Sequence, residues 1–219
     1  MSFATRVLTE STLSQYVDEY HRTRFTQIPH MIGDPHIREL TETMSQLVDE
    51  SEQIVVGHQA AENSREITGG SRYLRFDPGH PQADPAQREI QLELLNQSNL
   101  AKLGERIATA LTPVVGAVLG DHAEFCRCYF LAYRPGDYIS AHDDKQTGNR
   151  INVQIPIPHE CRSCIRILDE NSRLMEVKED IAGQLRFLGP AVWHDVPPFV
   201  ADSHSMRYNF MLRYRYGRS

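Results

Sequence analysis

His142-x-Asp144, followed further along the chain by His194 and then Arg207, is the set of side chains in this sequence best suited to chemistry. Two imidazoles and one carboxylate occupy one face of an octahedral iron(II) and leave the other positions open to a chelating cosubstrate and O2. The carboxylate keeps such a site close to neutral. A guanidinium beyond the last ligand suits a second carboxylate at the far end of that cosubstrate, because its planar fork makes two parallel hydrogen bonds. Rivals exist for two of these roles. Asp143 is a second carboxylate, but on a strand it points away from His142, whereas Asp144 points to the same side. His204 is a second distal histidine, but it crowds Arg207. The bland alternative is a surface His-Asp-Asp turn without metal, and an Arg207 that is structural like Arg213, Arg215 and Arg218.

The elements that must position these residues change character near Asp121. Before it the chain reads mainly helical. Ser11 is a candidate cap for TLSQYVDEYHRTRF, in which Leu13, Tyr16, Val17 and Tyr20 form a stripe at helical spacing. Residues 36–50 place Ile37, Leu40, Met44, Leu47 and Val48 on one face. Residues 52–85 are mixed: IVVGH reads as a strand, and TGGS, DPGHP and ADP as a turn-rich surface segment. Asp84-Pro85 opens a helix over 85–96, with Gln87 at the capping-box position, and another runs over 98–119 with Pro113 a potential break. After Asp121, FCRCYFLAY, INVQIPI, CIRIL, QLRFL and RYNFMLRYRY are short β-branched and aromatic runs separated by turn signals, the pattern of a sandwich or barrel. Every candidate ligand lies in this β portion.

Composition narrows the function classes. The 219 residues, 40% hydrophobic and 24% charged, suffice for one core, so a single domain is expected over 1–219, with a mainly helical portion at 1–120 and a β core at 121–219. The net charge of −6 argues against general nucleic-acid binding, which needs a basic surface. No apolar run approaches a membrane span, and no secretion signal is read at the N-terminus, so a cytoplasmic protein without a membrane partner is expected. Cys126-x-Cys128 and Cys161-x-x-Cys164 admit a four-thiolate zinc site, against a reading as small buried hydrophobes. Oligomeric state is not legible.

A resemblance sharpens the metal reading. YRPGDYISAHDDKQTGNRINVQIPI is similar to the first metal motif of iron(II)- and 2-oxoglutarate-dependent dioxygenases, particularly the prolyl-4-hydroxylase-like branch, with Tyr133, Gly136, His142, Asp144 and Arg150 at the matching positions. AGQLRFLGPAVWHDVPPF resembles the second motif through Gly183, His194, Val196 and Pro198, and MRYNFMLRY resembles the last strand, with Arg207 at the place of the residue that binds the distal carboxylate. The resemblance covers roughly residues 122–216. The sequence departs from the family where HECRSCIRIL stands in place of a Gly-Gly pair, and where QIPIP lacks a late tyrosine.

The resemblance implies an α+β fold with a double-stranded β-helix (jelly-roll) core and N-terminal helices packed on it. It implies an oxygenase using Fe(II), 2-oxoglutarate and O2, releasing succinate and CO2, with ascorbate as a stimulant. His142, Asp144 and His194 are then the metal ligands and Arg207 holds the cosubstrate, aided by Tyr133, Tyr138 or Asn209. Related halogenases lack the carboxylate, so Asp144 favours hydroxylation or desaturation. A small-molecule substrate, such as an amino-acid derivative or specialised metabolite, is the first expectation and a protein or peptide residue the second. A cupin-type isomerase or binding protein, or a non-catalytic interaction domain, needs neither Arg207 nor a keto acid. Arg65, Arg72 and Arg75 form a solvated face or a lid for an anionic substrate.

Overall fold

The computed structural model describes residues 8–56, 70–120, 122–145 and 150–216. Among the described residues, four α-helices precede the β core. Helix α1 (Glu10–Thr23) is capped by Thr9, whose hydroxyl accepts from the Thr12 N–H, not by Ser11. It ends two residues short of the expected segment, because Arg24 turns left-handed at φ 60 and releases Phe25 into a strand. Helix α2 spans Asp34–Leu47, with Pro35 in its first turn. Helix α3 (Pro85–Gln97) starts on Asp84, whose carboxylate accepts from the Ala86 and Gln87 N–H groups. Gln87 does not complete a capping box; its amide donates to the Glu50 carbonyl at 2.6 Å. Helix α4 (Leu100–Leu119) runs straight through Pro113. An interior proline costs about 3 kcal/mol, and burying each large apolar side chain returns about 1.5–3 kcal/mol. With Leu103, Ile107, Leu111, Val114, Val115 and Val118 all buried, burial wins and the helix continues.

The strands are β1 (Phe25–Ile28), β2 (Glu52–Val56), β3 (Ser71–Phe76), β4 (Ala123–Tyr133), β5 (Tyr138–His142), β6 (Arg150–His159), β7 (Cys164–Leu168), β8 (Leu174–Glu179), β9 (Leu185–Leu188), β10 (Trp193–Val196) and β11 (Met206–Tyr216). They pair in the order β1-β9-β6-β11-β4-β3-β5-β10-β7-β8, with β2 on β3, all antiparallel. Strands β9-β6-β11-β4 form one wall and β5-β10-β7-β8 the other, which is the jelly-roll arrangement of a double-stranded β-helix. The fold is α+β, as expected. The N-terminal portion contributes more than helices: β1 extends one wall, and β3 bridges β4 to β5 where a turn-rich surface segment was expected. The strand expected in IVVGH is β2; its Gly57 and His58 lie outside the described residues.

The two faces of the larger wall differ in chemistry. On β11, Tyr208, Phe210, Leu212 and Tyr214 join the core cluster with α4, as Ile151, Val153, Ile155 and Ile157 of β6 do. The alternate residues Arg207, Asn209 and Arg213 of β11, with Asn152 and Gln154 of β6, are also buried. Side chains alternate across a strand, so a helix-covered apolar face backs a sealed polar one. Buried polar groups need partners, and a polar interior face on a β-barrel is a surface prepared for a ligand.

Candidate metal and cosubstrate site

A cavity of about 1100 Å³ opens between the two walls and contains the sequence-derived candidates. His142, Asp144 and His194 line it together with Tyr133 and Asn209. His194 on β10 pairs with His142 on β5, and their ring centroids are 4.2 Å apart. The next pair in register is Val196 with Ile139, so β5 carries one residue more than β10 in this interval. That is a β-bulge, a device that re-aims a side chain. It turns Ile139 and His142 into the cavity together, although a regular strand would place them on opposite faces.

The same bulge decides Tyr138. A regular strand would put Tyr138 beside His142; here Tyr138 is not among the residues lining the cavity, and its hydroxyl lies against Gly70. The turn before β5 is fixed by Gly136 at φ 83 and by Asp137, whose carboxylate accepts from the Arg134 N–H at 2.9 Å and the Arg72 guanidinium at 2.6 Å. Arg72 therefore braces the turn. Arg75 faces the cavity but is paired with Glu52 at 2.7 Å, and Arg65 lies outside the described residues.

Both imidazoles are held through Nδ1. His142 Nδ1 lies 2.8 Å from the Ser140 carbonyl and His194 Nδ1 lies 2.9 Å from the Val192 carbonyl. A carbonyl only accepts, so each Nδ1 carries the proton and each Nε2 keeps its lone pair for a metal. Burial lowers the His194 pKa to about 4, the neighbouring His142 pushes it the same way, and the Asp144 charge opposes them. His194 is thus neutral near pH 7, the form that ligates. β5 ends at His142, so neither aspartate lies in a strand and Asp143 lines the cavity as Asp144 does; the Asp143 carboxylate pairs with Lys145 at 2.9 Å, and His204 is exposed. Among the described residues no three His, Cys, Asp or Glu side chains stand as a finished metal site. The donor set nevertheless fits iron(II): two paired imidazoles, with a carboxylate close enough to act on His194 electrostatically. The four cysteines are free; Cys128 packs against Gly104 of α4, while Cys161 contacts the Met206 carbonyl.

Arg207 lies beneath the cavity floor and is fully buried. Its guanidinium sits 4.9 Å from the centre of the Tyr133 ring, which forms part of that floor. Its Nε donates to Asp180 at 2.6 Å, whereas Nη1 and Nη2 have no hydrogen-bond partner. Asn209 donates to Gln154 at 3.3 Å, and its own carbonyl oxygen is also unpartnered. The two orphaned Arg207 nitrogens, both donors, fit a buried ligand that carries a carboxylate, while the Asn209 oxygen is an acceptor that a donor would satisfy.

Several residues of the site escaped the sequence reading. Arg213 is not an ion-pair residue: it lines the cavity, donating to the Asn152 side chain at 3.1 Å and the Tyr129 hydroxyl at 2.9 Å. Arg215 does pair, with Glu124. His80 lines the cavity, and Asp180 and Arg186 form a buried ion pair. The alternation of INVQIPI and RYNFMLR, polar against apolar within strands buried on both faces, was the signal available.

No family model and no curated protein matches this sequence. Solved structures match in fold. The chain is similar to the non-heme alpha-ketoglutarate-dependent epimerase SnoN from nogalamycin biosynthesis, at a TM-score of 0.64 and 12% identity, over 96% of this chain and 85% of that one. It is similar to an oxidoreductase of the 2OG-Fe(II) oxygenase family from Burkholderia pseudomallei, at 0.63 and 14%, over 99% and 98%. A prolyl-4-hydroxylase from Pseudomonas putida aligns at 0.52 and 17%, over 94% and 100%. The chain has the double-stranded β-helix fold found in 2OG-Fe(II) oxygenases.

Proposed function

We propose that this protein is an iron(II)- and 2-oxoglutarate-dependent oxygenase that hydroxylates a small molecule. The observation that carries the reading is the pair of Nδ1-anchored imidazoles facing one cavity, with the unpartnered fork of Arg207 beneath its floor. His142, Asp144 and His194 would hold the metal. Arg207 would receive the distal carboxylate of 2-oxoglutarate, and Asn209 and Tyr133 would border the same ligand. Iron(II) with the keto acid and O2 supplies the oxidising chemistry, with release of succinate and CO2.

The chain's own residues perform three tasks. The Ser140 and Val192 carbonyls fix the tautomer and tilt of the two imidazoles. The apolar residues Ile139, Ile165 and Val196 dry the cavity around them, which strengthens every electrostatic contact inside. Trp193, Tyr73, Ile54 and His80 wall the remainder of the cavity, where a substrate would be oriented. A volume of about 1100 Å³ leaves space for both cosubstrate and substrate, since drug-sized ligand sites run about 300–1,000 Å³.

The small-molecule reading draws support from SnoN, a protein of nogalamycin biosynthesis; the prolyl-4-hydroxylase likeness keeps a peptide substrate as the second reading. Succinate release separates the two. The iron-loaded protein with 2-oxoglutarate is incubated with a metabolite extract and, separately, with a peptide library. Stimulation by the extract alone is the expected result, and stimulation by the peptides alone reverses the order.

A further inference from the structure

Beneath the cavity floor lies a charge cluster that no metal-site residue explains. Asp180 directly follows β8, and its side chain is fully buried between Arg186 of β9 and Arg207 of β11. Arg186 Nη2 donates to its Oδ1 at 2.8 Å; Arg207 Nε and the Ser163 hydroxyl both donate to its Oδ2 at 2.6 Å. Two guanidiniums thus share one carboxylate, and the carboxylate's acceptor capacity is nearly filled. Contrast Arg166 and Asp195, where one carboxylate takes both Nε and Nη2 of one arginine. Because Asp180 is shared, it grips Arg207 by Nε alone and leaves Nη1 and Nη2 without partners, and Arg186 Nε is unpartnered too. The cluster carries two positive charges and one negative, all side chains sealed from water. An uncompensated buried cation is unfavourable, so the arrangement calls for one more anion. Arg186 also reaches the cavity wall, donating to the Gln154 side chain, which Asn209 shares.

We propose that Arg186 is the second cation of the seat for the distal carboxylate of the cosubstrate, and that Asp180 is the post that aims the free fork of Arg207 at it. The inference rests on the keto-acid reading of the cavity. Arg186 acts through charge and through Gln154, so it is a positioning and selecting residue: it makes the seat prefer a dicarboxylate over a monocarboxylate keto acid. Burial favours the neutral form of Arg186, and Asp180 opposes that by favouring its charge. Asp180 itself is held well below the usual carboxylate range by the two arginines. The cluster therefore keeps one net positive charge across the physiological range.

The test compares two keto acids that share a chelating head. Anaerobic iron(II)-loaded protein is titrated with 2-oxoglutarate and with 2-oxobutanoate, which lacks the distal carboxylate, and heat of binding is recorded. Arg186→Gln is expected to weaken 2-oxoglutarate about tenfold, equivalent to about 1.4 kcal/mol, and to leave 2-oxobutanoate within about twofold. Equal loss of both ligands, or of neither, overturns the role given to Arg186 while the keto-acid reading stands. Absence of 2-oxoglutarate binding to the unaltered protein overturns the keto-acid reading and this inference with it. If Arg186→Gln does not fold, Arg186→Lys decides. A buried ammonium beside Arg207 loses its proton more readily than a guanidinium, with Asp180 opposing that loss, so the preference for 2-oxoglutarate should fall as pH rises in this variant and stay flat in the unaltered protein. A preference flat in both overturns the proposal.

Discussion

His142 and His194 are held by the same device, a backbone carbonyl two residues earlier in the chain, and the pairing of β5 with β10 brings their rings together. Neither carbonyl could be foreseen from residue types, because any residue supplies one. Residue types did pick out three candidate donors, His142, Asp144 and His194, that line one cavity. Arg207 is the other residue whose role follows from its environment. Its two unpartnered nitrogens are worth most when a carboxylate meets them, since hydrogen bonds to charged groups contribute about 1.5–3 kcal/mol each. Two such bonds amount to about 3–6 kcal/mol, so Arg207→Gln should weaken 2-oxoglutarate binding by about 100-fold or more while iron binding persists. Calorimetry on the metal-loaded protein checks this, and unchanged affinity would point to Arg213 as the carboxylate's partner.

At the level of elements, the bulge in β5 decides which of that strand's side chains face the cavity. Period-two alternation separates the polar and apolar faces of β6 and β11, because both strands are regular over their shared register. Tyr138, a cosubstrate candidate on the family resemblance, does not line the cavity, because one extra residue between Ile139 and His142 reverses the parity of β5. Nothing in YISAH announces that residue; it is set by the partner strand. Deleting Ser140 should restore regular pairing while leaving Ile139 and His142, then two apart, on the cavity face. The expected outcome is a folded protein, by circular dichroism, that still binds iron; loss of iron binding would show that the extra residue is itself needed to aim His142. Gly183 is a second local requirement. It adopts φ 80, and a Cβ there would collide with the Ile32 carbonyl, while its own carbonyl accepts from the Met31 and Ile32 N–H groups. Gly183→Ala should cost about 2 kcal/mol or more in denaturant unfolding, and a change below about 0.5 kcal/mol would contradict that strain.

Across the whole molecule, helices and strands share one apolar core, and the polar chamber lies on the other side of the same wall. The sequence was most legible where local pattern and burial agree, as in α2, α4, β4, β6 and β11. It was least legible where tertiary pairing creates the element: β1 forms because β9 offers an edge, and β3 because β4 and β5 leave a gap. Asp180 and Arg186 were invisible for the same reason, since only the fold brings them to Arg207. The buried core also dictates alkaline behaviour. Burial pushes the Cys128 thiol from 9.0 to about 12 and raises the phenols of Tyr129, Tyr133 and Tyr214. The unfolded chain releases these protons first, so stability is full below about pH 9 and falls as pH rises above it. Urea midpoints should decline from pH 9 to 11, and the decline should be shallower in Cys128→Ala. A flat profile would contradict the burial of these groups in solution.

The central claim is that the two imidazoles, Asp144 and the buried guanidinium form one site for iron(II) and a keto acid. The most direct measurement is anaerobic addition of iron(II), then 2-oxoglutarate, to the purified protein, recording the weak visible charge-transfer absorption that an iron-chelated keto acid produces. The expected result is a saturable band that is lost in His194→Ala. A folded, iron-bound protein that shows no band would contradict the account and move a cupin-type metal protein to the front.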